Sequence, residues 1–158
     1  MLPPFLAAAD LVHAQEPRSR FRLVLPAALQ GGLPMLPDYV TVTDGGAAAL
    51  AGCRAALTKS GTITLELAVM GIPQVVAHRV HPLTYWVGRM VVTGVRHIAL
   101  PNILADREVV PEFVQRFTPQ QLAQTLCSLP VHQPVDLTAL GGAGASGRAA
   151  EAILSRWA

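Results

Sequence analysis

Residues 55–77 read AALTKSGTITLELAVMGIPQVVA. Ala55 to Thr58 is a short strand-forming run, Ser60-Gly61-Thr62 is a turn of small residues, and a helical pattern follows until Gly71. Pro73-Gln-Val-Val-Ala77 is a second apolar run. Strand, turn, helix and strand in this order form the repeating unit of a parallel sheet. The rhythm continues upstream. A helix is predicted over Pro3 to Gln15, a buried strand over Phe21 to Pro26 and another strand over Tyr39 to Thr43. Between the strands, Gly31, Gly32, Pro34 and Pro37 make 27–38 loop-like. Asp44-Gly-Gly46 leads into an alanine-rich helix that runs to about Cys53.

Downstream, the pattern predicts a helix over Pro82 to Val92, carrying Tyr85 and Trp86, and a strand over Arg96 to Leu100. A polar loop from Pro101 to Glu108 follows, then helices over Val109 to Gln115 and Pro119 to Ser128. Val131 to Gly144 is a loop, and the last helix covers Ala145 to Trp157. The fold class is α/β: a Rossmann-like parallel sheet with helices on both faces. A length of 158 residues suits one domain.

Composition narrows the function. Hydrophobic residues make up 51% and charged residues 14%, with a mean hydropathy of +0.40. Such a chain can build a core and is not charge-rich and disordered. The net charge is +2 and Lys59 is the one lysine, so no basic stripe marks a nucleic-acid partner. Cys53 and Cys127 form no CxxC pair, so no structural metal site is expected and a reduced, cytoplasmic setting is. The apolar stretches are cut by prolines, glycines and arginines before they reach the ~20 residues of a membrane span. The opening MLPPFLAAAD has no basic region and meets Asp10 early, so no signal peptide is expected.

Three polar clusters can carry chemistry. In the first, a turn between strand and helix aims backbone N–H groups at an anion, Gly61 lets it approach, and Ser60 and Thr62 add hydroxyls. Glu66 lies one helical turn beyond Thr62, where a carboxylate can accept from ribose hydroxyls. The plainer alternative is ordinary helix capping. There is neither a GxGxxG nor a P-loop. The second cluster, His78-Arg79-Val-His81, follows the next strand; Arg79 can pair with a phosphate, or the group is ordinary surface. The third, Asn102 with Asp106-Arg107-Glu108, concentrates charge in a charge-poor chain; its alternative is a solvated loop. All three clusters follow predicted strands, and a parallel sheet gathers them on one edge, the layout expected of a nucleotide site.

These residues resemble a known family. Lys59 to Glu66, Gly71-Ile-Pro-Gln-Val-Val76, Arg79, Pro82-Leu-Thr-Tyr-Trp86 and Leu100-Pro-Asn-Ile-Leu-Ala-Asp-Arg-Glu-Val-Val-Pro-Glu112 are similar, in order and spacing, to the lipid-A-disaccharide synthase family. So is Leu140 to Leu154 near the end. The resemblance implies the C-terminal half of a GT-B glycosyltransferase with two Rossmann-like domains. It implies transfer from UDP-2,3-diacylglucosamine to lipid X (2,3-diacylglucosamine 1-phosphate), giving lipid A disaccharide and UDP. By resemblance, Ser60, Gly61 and Thr62 face the diphosphate and Glu66 the ribose. Asn102, Arg107 and Glu108 line the donor pocket, with Arg79 near it. No metal or other cofactor is implied. The expected catalytic base and the lipid-acceptor site belong to an N-terminal domain outside this chain, so residues 1–158 would be a single nucleotide-sugar-binding domain.

The implied partners are the UDP-sugar, the lipid acceptor, and an N-terminal domain partner or a second copy. Membrane contact would be at most peripheral, at the inner face of the inner membrane. The family usually has glycine where Asp106 stands and a residue other than lysine where Lys59 stands. Two other readings fit the same residues: a GT-B enzyme with another UDP-sugar donor, or a non-catalytic fragment or split subunit that binds nucleotide or docks with a partner.

Overall fold

The computed structural model describes residues 1–79, 96–136, 138 and 144–156. The segment 82–92, with its expected helix and the Pro82-Leu-Thr-Tyr-Trp86 string, lies outside them. Helix α1 spans Leu2–Gln15, with Pro3 and Pro4 in a first turn that has no need of their missing donors. Strand β1 (Phe21–Val24) and strand β2 (Val40–Thr43) pair in parallel, Phe21 opposite Val40 and Val24 opposite Thr43. One turn of helix, α2 (Ala27–Gln30), breaks the connection that was expected to be all loop. The alanine-rich segment is a 3-10 helix, Gly46–Leu50, shorter than the expected helix.

The deciding stretch folds as read. Strand β3 is Ala56–Thr58, helix α3 is Ile63–Val69, and strand β4 is Gln74–His78. Gly71 follows α3 with φ of 66°, and the His132 ring packs where a Cβ would stand, so both backbone and space demand glycine.

Beyond residue 95 the expected pattern changes. The predicted strand at Arg96–Leu100 is absent: residues 96–98 have no regular structure, and Leu100–Ala105 is a helix, α4, where a loop was expected. Pro101 sits in its first turn. The predicted helix at Val109–Gln115 is instead strand β5, Glu112–Val114, added to β4 with Val76 opposite Glu112. Pro111 suits the edge of this ladder, because the pairing uses its carbonyl, which accepts the Val76 N–H at 2.9 Å, and not the donor it lacks. Helix α5, Pro119–Ser128, has the predicted bounds and a reciprocal cap between Thr118 and Gln121. Helix α6 spans Ala145–Leu154, and its described side chains are exposed.

All strand pairs are parallel, as an α/β fold requires. Among the described residues they form two ladders, β1-β2 and β3-β4-β5, rather than one sheet. The same helices cover both ladders. Ala8 and Val12 of α1 meet Leu122 and Ala123 of α5 over Val75 and Ala77, with Phe21 and Leu57 packed alongside. On the other side, Leu50, Leu67 and Ile72 meet Val24 and Ala56. The Tyr39 hydroxyl donates to the Asp10 carboxylate, and the His13 ring stacks on Tyr39 at 3.8 Å, fastening α1 to the start of β2.

Asp106 ends α4 with φ of 49° and ψ of 29°, a left-handed conformation that costs an L-residue free energy and glycine none. Asp106→Gly should therefore stabilise the chain by about 1 kcal/mol, read as a higher urea midpoint at unchanged slope.

Candidate functional site

The Ser60-Gly61-Thr62 turn leaves the carboxyl end of β3 and enters α3. Gly61 and Thr62 are exposed. Thr64 and Leu65 return their N–H groups to the Gly61 and Thr62 carbonyls, closing the first turn. Among the described residues, the N–H groups of Gly61, Thr62 and Ile63 meet no backbone acceptor. Glu66 is exposed one turn further on, with its N–H on the Thr62 carbonyl at 3.2 Å. Below this surface, the fully buried Thr64 hydroxyl donates to the Gly61 carbonyl at 2.8 Å. The buried Gln74 amide donates to the Thr64 carbonyl at 2.7 Å. The turn thus rests on side chains rooted in α3 and β4.

Ser60 does not hold its hydroxyl free. It donates to the Ile98 carbonyl at 2.6 Å. That bond, with the Leu100 N–H on Thr64 Oγ1 at 3.4 Å, draws the entry to α4 against the turn. The entry is held in turn by Glu112. One carboxylate oxygen meets His97 Nδ1 at 2.8 Å, and the other accepts from Ile98 N–H at 3.0 Å and Ala99 N–H at 2.8 Å.

Arg79 follows β4 at the same edge, and its guanidinium is engaged. It donates to the Gln115 carbonyl at 3.2 Å and the Phe117 carbonyl at 3.1 Å, and lies 4.4 Å from the Phe117 ring centre. Gln115 itself has φ of 63° at the end of β5. Asn102 is fully buried, and its amide is consumed by backbone. It donates to the Val110 carbonyl at 2.8 Å and accepts from Val109 N–H at 2.8 Å and Val110 N–H at 2.9 Å. Arg107 and Glu108 are exposed on the turn that leaves the far end of α4. That turn runs into Val109, whose carbonyl accepts from Gln133, and Gln133 also receives the N–H of Gln74 at the start of β4.

The structure therefore collects Ser60, Gly61, Thr62 and Glu66 with the 97–100 segment. It uses Arg79 and Asn102 as internal ties, and leaves Arg107 and Glu108 exposed just beyond α4. The third cluster does not follow a strand, as the sequence pattern had it, but reaches the edge through α4 and Glu112. Sequence reasoning missed Thr64, Gln74, Glu112 and Gln115. For Glu112 the available signal was a lone carboxylate directly after the apolar Val109-Val110-Pro111; for a buried Thr–Gln pair ten residues apart there was none. His78, beside the turn, is half-buried, with Nδ1 unpartnered among the described residues. Burial, together with the nearby Lys59 ammonium, holds its imidazole below the usual value. No group of three or more His, Cys, Asp or Glu residues able to hold a metal occurs among the described residues.

An open parallel α/β domain with polar turns at the carboxyl ends of neighbouring strands is a doubly wound domain, a class that binds its ligands outside those ends. A family model described as lipid-A-disaccharide synthetase matches residues 34–132. A lipid-A-disaccharide synthase of Nitrosococcus oceani is 38% identical over 130 residues, covering 78% of this chain and 33% of that relative. One of Pseudomonas savastanoi pv. phaseolicola is 44% identical over 139 residues, covering 79% and 34%. One of Gluconobacter oxydans is 39% identical over 139 residues, covering 82% and 33%. The chain belongs to the lipid-A-disaccharide synthase family. It spans about a third of the length of these relatives. No solved structure matches the chain.

Two outcomes test this geometry. Glu112→Ala strands three donors at the entry to α4 and should cost about 3 kcal/mol of stability in a urea melt. His78 is depressed in the fold, so protons favour the unfolded chain. Its contribution is whole above about pH 6.5 and is lost as pH falls through that value. Urea melts at about pH 7.5 and 5.5 should show a fall in stability that His78→Gln makes shallower.

Proposed function

We propose that this chain is the donor-binding part of a glycosyltransferase that joins UDP-2,3-diacylglucosamine to lipid X, forming lipid A disaccharide and releasing UDP. Family membership supports the reaction class. The observation that carries the reading at residue level is the Ser60-Gly61-Thr62 turn, whose neighbouring N–H groups are uncommitted among the described residues, with Glu66 one turn beyond it. The turn would receive the diphosphate through backbone N–H groups and the Thr62 hydroxyl. Glu66 would accept from the ribose hydroxyls. As the glycosidic bond to UDP breaks, negative charge grows on the diphosphate, and fixed N–H donors stabilise it there without reorganising.

Arg79 and Asn102 enter this proposal as positioning residues. Arg79 ties the end of β4 to the β5–α5 connection, and Asn102 holds the turn that leads into β5. Arg107 and Glu108 are exposed charges beyond α4, and the proposal does not rest on them. The catalytic base and the acceptor site would belong to an N-terminal domain, with residues 1–158 acting as one nucleotide-sugar-binding unit. Among the described residues no helix is long and apolar enough to cross a membrane. Contact with the inner face of the inner membrane would be peripheral and made to reach the lipid substrates.

Titration calorimetry with UDP tests the reading. The folded chain should bind UDP, and Glu66→Ala should weaken binding roughly tenfold, the loss of one hydrogen bond to a charged group. No heat at millimolar UDP, on chain shown to be folded, would overturn it.

A further inference from the structure

One peptide plane carries both the Gly61 carbonyl and the Thr62 N–H, and in a trans peptide the two point in opposite directions. Whatever fixes that carbonyl therefore aims that donor. The Gly61 carbonyl accepts twice from Thr64: from its N–H at 3.1 Å and from its hydroxyl at 2.8 Å. The Thr64 side chain is fully buried in the first turn of α3, so the carbonyl is turned inward. The Thr62 N–H is thereby turned outward, and it meets no acceptor among the described residues.

A threonine hydroxyl in a helix readily bonds a carbonyl three residues back. Here the same oxygen also accepts from Leu100 N–H at 3.4 Å, which leaves its single proton for Gly61. One hydroxyl thus sets both the turn and its contact with the entry to α4.

Gln74 stands behind Thr64. It is fully buried on β4, and its amide nitrogen donates to the Thr64 carbonyl at 2.7 Å. Its Oε1 is buried with no partner among the described residues. An unpaired buried acceptor is costly, and the one bond gained is offset by the one left unmade. A methionine of similar length would fill the space with no polar atom to satisfy. The amide therefore adds little to the stability of the fold. What it supplies is direction, because it fastens the residue whose hydroxyl holds the turn.

We infer that Thr64 and Gln74 are positioning residues for the donor: Thr64 holds the Gly61–Thr62 peptide with its N–H toward the diphosphate, and Gln74 holds Thr64. The inference rests on the donor reading proposed above. Both side chains are buried beneath the turn and act through it, without touching the ligand.

UDP titration, urea melts and amide NMR on the 158-residue chain test this together. If the unsubstituted chain is folded and does not bind UDP, the donor reading fails and this inference falls with it. Where UDP binds, Thr64→Val, which keeps the branched shape without the hydroxyl, should weaken binding about fivefold, the worth of one hydrogen bond. Thr64→Ser restores the hydroxyl and should restore the affinity. The Thr62 amide resonance should shift on saturation with UDP in the unsubstituted chain and in Thr64→Ser, and shift less in Thr64→Val. Gln74→Met should weaken UDP while leaving the urea midpoint unchanged or higher, a separation that a merely structural residue does not give. The inference alone is overturned if folded Thr64→Val binds UDP as tightly as the unsubstituted chain. It is equally overturned if serine fails to restore the affinity, or if Gln74→Met lowers the urea midpoint and leaves UDP binding unchanged.

Discussion

The Glu112 carboxylate holds the region beyond residue 95 to the sheet. It is almost wholly shielded, and its two oxygens take His97 and the N–H groups of Ile98 and Ala99. Those bonds fix where α4 begins. The start of α4 in turn lets Leu100 reach Thr64 and brings the Ile98 carbonyl to Ser60. Val76, Ala99 and Val110 then close a small core between β4, α4 and β5. A charged-group hydrogen bond in a shielded place is stronger than a neutral one and costly to leave unmade. The position of the turn after β3 therefore depends on a residue more than fifty positions away.

Sequence legibility follows from how local each cause is. The strand–turn–helix–strand of 55–77 was legible because each part is signalled within its own residues: Gly61 at the turn, Gly71 where φ must be positive, and an apolar β4 covered on both faces. The bounds of α5 were legible for the same reason, since Pro119 opens it within its own first turn. The region 96–115 misled because its determinants are distant. Pro101-Asn102 reads as loop, yet Pro101 suits a first helical turn and the Asn102 amide is spent on Val109 and Val110. The division into two ladders was not legible at all. Strand pattern shows which segments are extended and says nothing of the distance between their edges.

The candidate site divides in the same way. Ser60, Gly61, Thr62 and Glu66 are consecutive or one turn apart, so their grouping is a property of the local chain. The grouping of Arg79, Asn102, Arg107 and Glu108 with them required one shared edge. In the structure Arg79, at that edge, and Asn102 have backbone partners, and Arg107 and Glu108 are exposed just beyond α4. A polar side chain in a charge-poor protein is as readily spent on holding loops as on meeting a ligand.

The pairing of α1 with α5 also bears on how the chain is made. Ala8 and Val12 find Leu122 and Ala123 only after more than a hundred further residues have left the ribosome. At about 5–20 residues per second, that is a wait on the order of ten seconds. Through that interval the apolar face of α1, with Phe5 and Leu11 beside Ala8 and Val12, lacks its cover from α5. A helix made well before its α5 partner is among the last to be fully buried, so its solubility on the ribosome depends on what shelters it in the meantime.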